Sequence, residues 1–306
     1  LDFYKRETED LINNIPIANG SNFSNYLTTN VGNLENKGIE FTINARAIDK
    51  PDFTWNIGFN LTRNINKITK LTLTDDPTYT GINVGGISGG VGNNIQIHTV
   101  GYPANSFFVF EQIYGQNGIP IEGLYVDRTG TGGSVPSNNL NKYHYHSPAP
   151  KILMGLNSSL RYKQIDFGFS GRFSIDNYVY NNVLSGSTYS AIYVQSGFFG
   201  NVLKDLDKVR FTNPQYWSDH FVENASFFKM DNISIGYNFD QLMEKKLKAR
   251  LSFTVQNAFI VTDYSGIDPE VNNTSLQNGI VQSNPGIDNN IYPRPRVFLV
   301  GINLTY

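Results

Sequence analysis

Residues 53–62 alternate without a break. Phe53, Trp55, Ile57, Phe59 and Leu61 occupy one parity, and Thr54, Asn56, Gly58, Asn60 and Thr62 the other. A strand turns successive side chains to opposite faces, so this run has one wholly apolar face and one polar or small face. The pattern returns in residues 38–47 (Ile39, Phe41, Ile43, Ala45) and in 165–176 (Ile165, Phe167, Phe169, Phe173, Ile175). Residues 151–163, 225–239, 249–259 and 298–306 repeat it, and residues 1–12 form a weaker example. About eight strands of roughly 10–14 residues are predicted, longer than the 5–6 typical of soluble sheets. A strand tilted about 45° needs roughly 9–11 residues to cross a bilayer.

A soluble β-sandwich also alternates. Two features favour a transmembrane β-barrel instead. The apolar faces are rich in Phe, Tyr and Trp, as lipid-facing surfaces with aromatic girdles are, and the opposite faces carry Arg, Asp, Glu, Lys and Asn, which suit a watery lumen. Charged residues make up 16% of the chain, against about 25% in soluble domains. No run of 18 apolar residues exists, so no membrane-crossing helix is expected. The absence of cysteine excludes disulfides, thiolate metal sites and a cysteine nucleophile. A net charge of −2 offers no electrostatic case for nucleic acid.

The connections alternate in length. Short ones are predicted at residues 48–52, 163–164 and 240–248. Long ones are predicted at about 13–37, 67–150, 178–224 and 262–295. Short periplasmic turns and long extracellular loops are the barrel pattern. With the first strand running outward, every short turn falls inside and every long loop outside. Residues 106–114 also read as a strand, but counting them as a crossing would break this parity, so they are assigned to an extracellular hairpin at the rim. Eight-stranded barrels fill their interiors with side chains and seldom carry such large loops. The chain also begins inside a strand without a signal peptide. It therefore reads as the C-terminal arc of a larger barrel.

Seven segments, in order, resemble the SusC/RagA-like TonB-dependent transporters of Bacteroidetes outer membranes. They are NVGNLENKGIE at 30–40, DFTWNIGFNLTRNINKI at 52–68, GYPANSFFVFEQIYG at 101–115, SPAPKILMGLNSSLRYKQIDFGFSGRF at 147–173, FFKMDNISIGYNF at 227–239, VQNAFIVTDYSGIDPEV at 255–271 and GIDNNIYPRPRVFLVGINLTY at 286–306. The resemblance implies a barrel of about 22 strands with a plugged lumen, of which these residues form the last third; the plug is absent. It also implies a SusD-like surface lipoprotein as partner, energy from TonB through the absent N-terminal part, and import of glycan or peptide oligomers. The alternating Phe298, Val300, Ile302, Leu304 and Tyr306 then serve both as a lipid-facing strand and as the signal read by the barrel-insertion machinery.

Chemistry has little footing. Of the four histidines, His98, His144, His146 and His220, only His144 and His146 share a face in an extended segment, and no third metal ligand stands at useful spacing. Neither a nucleophile motif nor a phosphate-binding loop is present, and residues 85–90 (GGISGG) precede no helix. Members of the family it resembles often carry a D-x-N-G-D-G segment, similar to the opening of a calcium loop. Here Asp127-Arg128-Thr129-Gly130-Thr131-Gly132 replaces two oxygen ligands by hydroxyls, so it reads as a turn rather than a calcium site. No catalytic residue, metal or cofactor is assigned.

Binding has more support. Aromatic rings pack on the CH faces of sugars, and Asn, Asp and Arg pair with hydroxyls. The outer loops supply Tyr178, Tyr180, Asn181, Tyr189, Tyr216, Trp217, Tyr264 and Asp268 as candidate substrate contacts, with Asn182, Tyr193, Phe198 and Phe199 beside them. Peptides could use the same set. These rings could equally pack loop on loop or against the lipoprotein. Nutrient import is the leading expectation; a non-transporting adhesin or carbohydrate-binding barrel is the alternative, and an outer-membrane enzyme ranks last.

Overall fold

The computed structural model describes residues 1–306 apart from 17–22, 24–25, 74–78, 90–91, 131, 137–138, 194–197, 243–246, 278–279 and 306. Eight long strands form one antiparallel sheet in chain order. They are β1 (Asp2–Pro16), β2 (Tyr26–Lys50), β3 (Phe53–Lys70), β4 (Ile152–Tyr162), β5 (Ile165–Ile175), β6 (Phe227–Leu242), β7 (Leu247–Thr262) and β8 (Val297–Thr305). Each pairs with its sequence neighbour, and β1 and β8 are the two ends of an open arc. Tyr306, the expected terminal aromatic, lies outside the described residues.

The register carries the alternation across the whole sheet. One row runs Ile48, Trp55, Leu160, Phe167, Ile235, Phe253 and Val300 through seven strands. The next row toward the short turns runs Phe53, Tyr162, Ile165, Tyr237, Leu251 and Ile302, and its tyrosines form the amphipathic edge that membrane interfaces favour. The indole N–H of Trp55 on this face donates to Ser158 Oγ at 2.9 Å, so that donor does not face hydrocarbon bare. Along β3 the apolar face extends from Phe53 to Leu61 and ends at Arg63. Eight steps of about 3.3 Å, tilted about 40°, project to about 20 Å, most of the roughly 25 Å height of a barrel's lipid band.

The opposite face is polar. Arg250 grips Asp166 with two hydrogen bonds, 2.6 and 2.9 Å, and Asn238 Nδ2 donates to the same carboxylate at 2.7 Å. Gly236 lies between the pair; a Cβ there would come within 2.6 Å of the guanidinium. The alternation slips once. A bulge at Asp231 in β6, opposite Asn257 in β7, shifts the parity, so Phe228 and Met230 face outward above it while Ile233 and Ile235 do so below.

The strands run past the sequence boundaries at several ends, β3 through Lys70 among them, and furthest at the first outer connection. Residues 13–16 and 26–37, expected within the first outer connection, belong to β1 and β2. Above the lipid band both faces meet water, so the apolar alternation that marks a strand vanishes while the ladder continues. Residues 106–114 stay out of the arc. Ser106–Val109 joins a four-stranded sheet with Tyr143–Tyr145, Asn94–His98 and Ile82–Gly86.

Candidate functional site

The long connections gather at one end of the arc as a packed outer module. Its core is Ile95, Phe107, Val109, Tyr180, Phe211, Phe221 and Ile287, each at most 1% exposed, with Leu184, Val209 and Val222 around them. A three-stranded sheet sets Tyr178–Asn181 between Val222–Asn224 and Ile287–Asp288. Among the described residues, ties between the module and the wall include two groups. Ile68 at the end of β3 exchanges backbone hydrogen bonds with Gly101 and Tyr102, 2.8 and 2.9 Å. On the luminal side Glu270 receives Arg172 of β5 at 2.8 Å, Lys229 of β6 at 2.6 Å and Arg294 at 3.2 Å.

Most of the expected binding residues are committed to this packing. Tyr180 is buried and donates to the Tyr216 carbonyl at 2.7 Å. Burial pushes its hydroxyl well above the usual tyrosine range. Asn181 caps a short helical turn by accepting from Leu184 N at 2.9 Å, and donates to Glu223 and Ser265 at 3.0 Å each. Asn182 is buried against Ser88 and Asn289. Tyr264 is buried and donates to Asp288 at 2.7 Å; burial and that carboxylate raise its hydroxyl. Asp268 is buried and accepts from Glu270 N at 2.9 Å. Tyr216 and Trp217 pack on the module core, and the Trp217 N–H donates to the Asn94 carbonyl at 3.0 Å.

Exposure selects a smaller group. Tyr189 is 37% exposed, Tyr193 73%, Phe198 78% and Phe199 83%. Tyr193 and Phe199 bridge one another, with ring centroids 6.1 Å apart. These four rings, all within the 178–224 connection, are open to a flat apolar surface, as are Tyr102, Tyr114 and Tyr292 in the other outer connections. Sequence placed Tyr189 among the first candidates and Tyr193, Phe198 and Phe199 only beside them, because ring type does not distinguish a buried Tyr180 from an exposed Tyr193.

A second feature had no contiguous signal. A cavity of about 410 Å³ lies where β3 outruns β4. His144 stacks on Tyr102 at 3.7 Å and His146 on Tyr178 at 3.6 Å, and all four rings line it. His146 adopts φ +53°, so the chain turns there and the simple shared-face geometry ends. Burial lowers both histidines below their ordinary values. No group of three or more His, Asp or Glu stands ready for a metal ion among the described residues. In the Asp127 turn the carboxylate accepts from Thr129 N at 2.8 Å and Thr129 Oγ1 at 2.5 Å. Thr131 lies outside the described residues.

Nearby, Asp219 is hydrogen-bonded by Tyr143 at 2.6 Å and Gln112 N at 3.0 Å, and burial raises its pKa. Lys142 lies over the rings of Trp217 and Phe110, 4.6 and 5.4 Å from their centroids. Burial lowers its ammonium to about 8.

No family model matches the chain. Individual relatives do. The chain is 42% identical over 313 residues to the TonB-dependent receptor SusC of Bacteroides thetaiotaomicron, with all of this chain and 30% of that protein aligned. The chain belongs to the SusC/RagA family of TonB-dependent receptors. A second relative, TonB-dependent receptor P3 of Formosa agariphila, is 31% identical over 332 residues, again covering all of this chain and 32% of its own length. The fold agrees with solved SusC/RagA barrels. The RagAB peptide transporter superposes with a TM-score of 0.72 at 21% identity, over 98% of this chain and 32% of that one. The chain thus spans about a third of the length of its curated relatives. As in the rest of the SusC/RagA family, its long strands belong to an outer-membrane barrel.

Proposed function

We propose that these residues form part of the wall and surface loops of an importer that carries nutrient oligomers through the outer membrane. TonB supplies the energy through regions outside this chain, and a SusD-like surface lipoprotein closes over the outer module. The observation that carries this reading is the lipid-banded arc with polar interior, joined to 42% identity with a TonB-dependent receptor along the whole chain. Glycan oligomers are the favoured cargo. The exposed rings Tyr189, Tyr193, Phe198 and Phe199 suit the CH faces of sugars, while the chain's charge is close to neutral. Peptide oligomers are the second reading, supported by the fold shared with the RagAB peptide transporter.

The test is purification of the intact receptor from outer membranes, with copurifying proteins identified, followed by calorimetric titration with neutral oligosaccharides and with oligopeptides. Import predicts a much longer chain accompanied by a surface lipoprotein. The glycan reading predicts that Tyr193→Ala with Phe199→Ala weakens oligosaccharide binding about tenfold, two ring contacts at roughly 0.5–1.5 kcal/mol each. Peptide binding without oligosaccharide binding would reverse the cargo assignment. A solitary protein binding neither would remove the import reading.

A further inference from the structure

The outward face of β1–β3 changes character abruptly at the outer edge of the lipid band. The row Phe3, Ile39, Arg63 and Ile152 is the last with apolar residues on most strands. One step further out stand Lys5, Lys37 and Ile65, and beyond them Glu7, Glu35 and Lys67. Residues directly opposite in antiparallel strands have Cβ atoms about 5 Å apart, so Arg63, Lys5, Lys37 and Lys67 form one compact patch. The two carboxylates do not cancel it. Glu35 is held between Lys37 at 2.6 Å and Lys5 at 3.2 Å, and Glu7 pairs with Lys5. Arg63 and Lys67 are exposed and make no ion pair or hydrogen bond among the described residues. Four cations against two anions leave a local surplus of positive charge, with the two unpaired cations on β3.

The patch is asymmetric. The outward positions at the same edge of β4–β7 are Ile152, Phe173, Ile175, Phe228 and Val261, without a Lys or Arg. The patch also adjoins the 410 Å³ cavity, which Arg63 and Ile65 share with Tyr102 and Tyr178.

We propose that this corner of the wall is a binding site for the phosphorylated headgroup of an outer-leaflet lipid. The occupant follows from position. The cations are continuous with an apolar face that meets lipid tails, so the anions at that depth are headgroup phosphates. Arg63 supplies a planar fork and Lys67 a point charge to the phosphate. The cavity beside them, walled by rings, receives the sugar or glycerol body of the headgroup. The inference rests on the outer-membrane placement of the strands, not on the nature of the imported cargo.

The test uses the intact receptor in detergent and native mass spectrometry. The probes are bisphosphorylated lipid A and its dephosphorylated form. The unaltered receptor is expected to retain the phosphorylated lipid and release the other. Each cation near an anionic surface contributes on the order of fivefold, so Arg63→Gln with Lys67→Gln predicts about thirtyfold weaker retention. Arg63→Lys should retain most of the binding. Arg6→Gln, on the opposite face of β1, should change nothing. Heat-modifiable gel migration establishes that each variant is folded. Equal retention of the dephosphorylated lipid, or full retention by the folded double variant, would overturn the proposal. So would complete displacement by inorganic pyrophosphate, which would make the site a receptor for free anions.

Discussion

The wall and the outer module use the same aromatic residues in opposite ways. In the wall, Phe253 is 43% exposed and Val300 73%, and each strand meets its neighbour chiefly through backbone hydrogen bonds. In the module, Phe107 is fully buried and Phe221 1% exposed, and the strands are only two to seven residues long. The wall keeps its order through a continuous ladder and hands its apolar face to lipid. The module must supply its own apolar interior, as a water-soluble domain does. Aromatic content therefore does not reveal where a ring points; the length of the alternating run around it does.

The sharpest way to break this comparison is truncation in each region. Phe221→Ala should destabilise the module by about 3–5 kcal/mol, because a closely packed core cannot collapse around the lost ring. The expected readout is rapid proteolysis within 178–224 while the barrel stays resistant to heat and detergent. Phe167→Ala on the wall should leave both unchanged within the error of the same measurements. Equal losses at both positions would mean that the two regions unfold as one.

The next test charges the wall. Phe169 lies in the middle row of the apolar band, opposite Ser158 and Ile233. Phe169→Arg should cost about 2–4 kcal/mol in a bilayer, the penalty for a cation at midplane on the lipid face. Asn60→Arg, on the luminal face of β3, should fold normally. Folding titrations into phosphatidylcholine vesicles report both. A tolerant Phe169 with an intolerant Asn60 would invert the assignment of the faces.

How much of this was legible follows the same division. In residues 53–62 every odd position is apolar, so strand, face and lipid contact could all be read from the sequence. The bulge at Asp231 could not, because one extra residue shifts parity without changing composition. The upper halves of β1 and β2 were lost for a different reason: where both faces meet water, nothing in the side chains marks a ladder. In the loops, Tyr180 and Tyr264 looked like ligand contacts because a tyrosine that donates to Tyr216 or Asp288 is indistinguishable in sequence from one that meets a sugar. Glu270 lies in the 255–271 segment that carries the resemblance, but its three cationic partners lie 24, 41 and 98 residues away. Such contacts need the folded topology before they can be seen.

The smallest effect expected concerns Lys142, where the module behaves least like the wall. The wall leaves its outward cations Arg63 and Lys67 exposed, whereas the module presses an ammonium against Trp217 and Phe110. No carboxylate lies within ion-pair distance of it among the described residues. The folded module therefore releases that proton near pH 8, against about 10.5 in the unfolded chain. Between these values the unfolded state binds more protons, so stability rises with pH across the window. The cost of the buried charge is fully present below pH 8. The ring faces return part of it through cation–π attraction, leaving a gain on the order of 1 kcal/mol between pH 8 and 9.5. Tyr114 and Tyr125, which burial pushes up to about 12, stay neutral there and do not obscure the slope. Hydrogen exchange of the module core, corrected for intrinsic rate, should show rising protection over this range, and Lys142→Met should flatten it. A rise of equal size in the variant would place the titrating group elsewhere and leave Lys142 paired to an anion in solution.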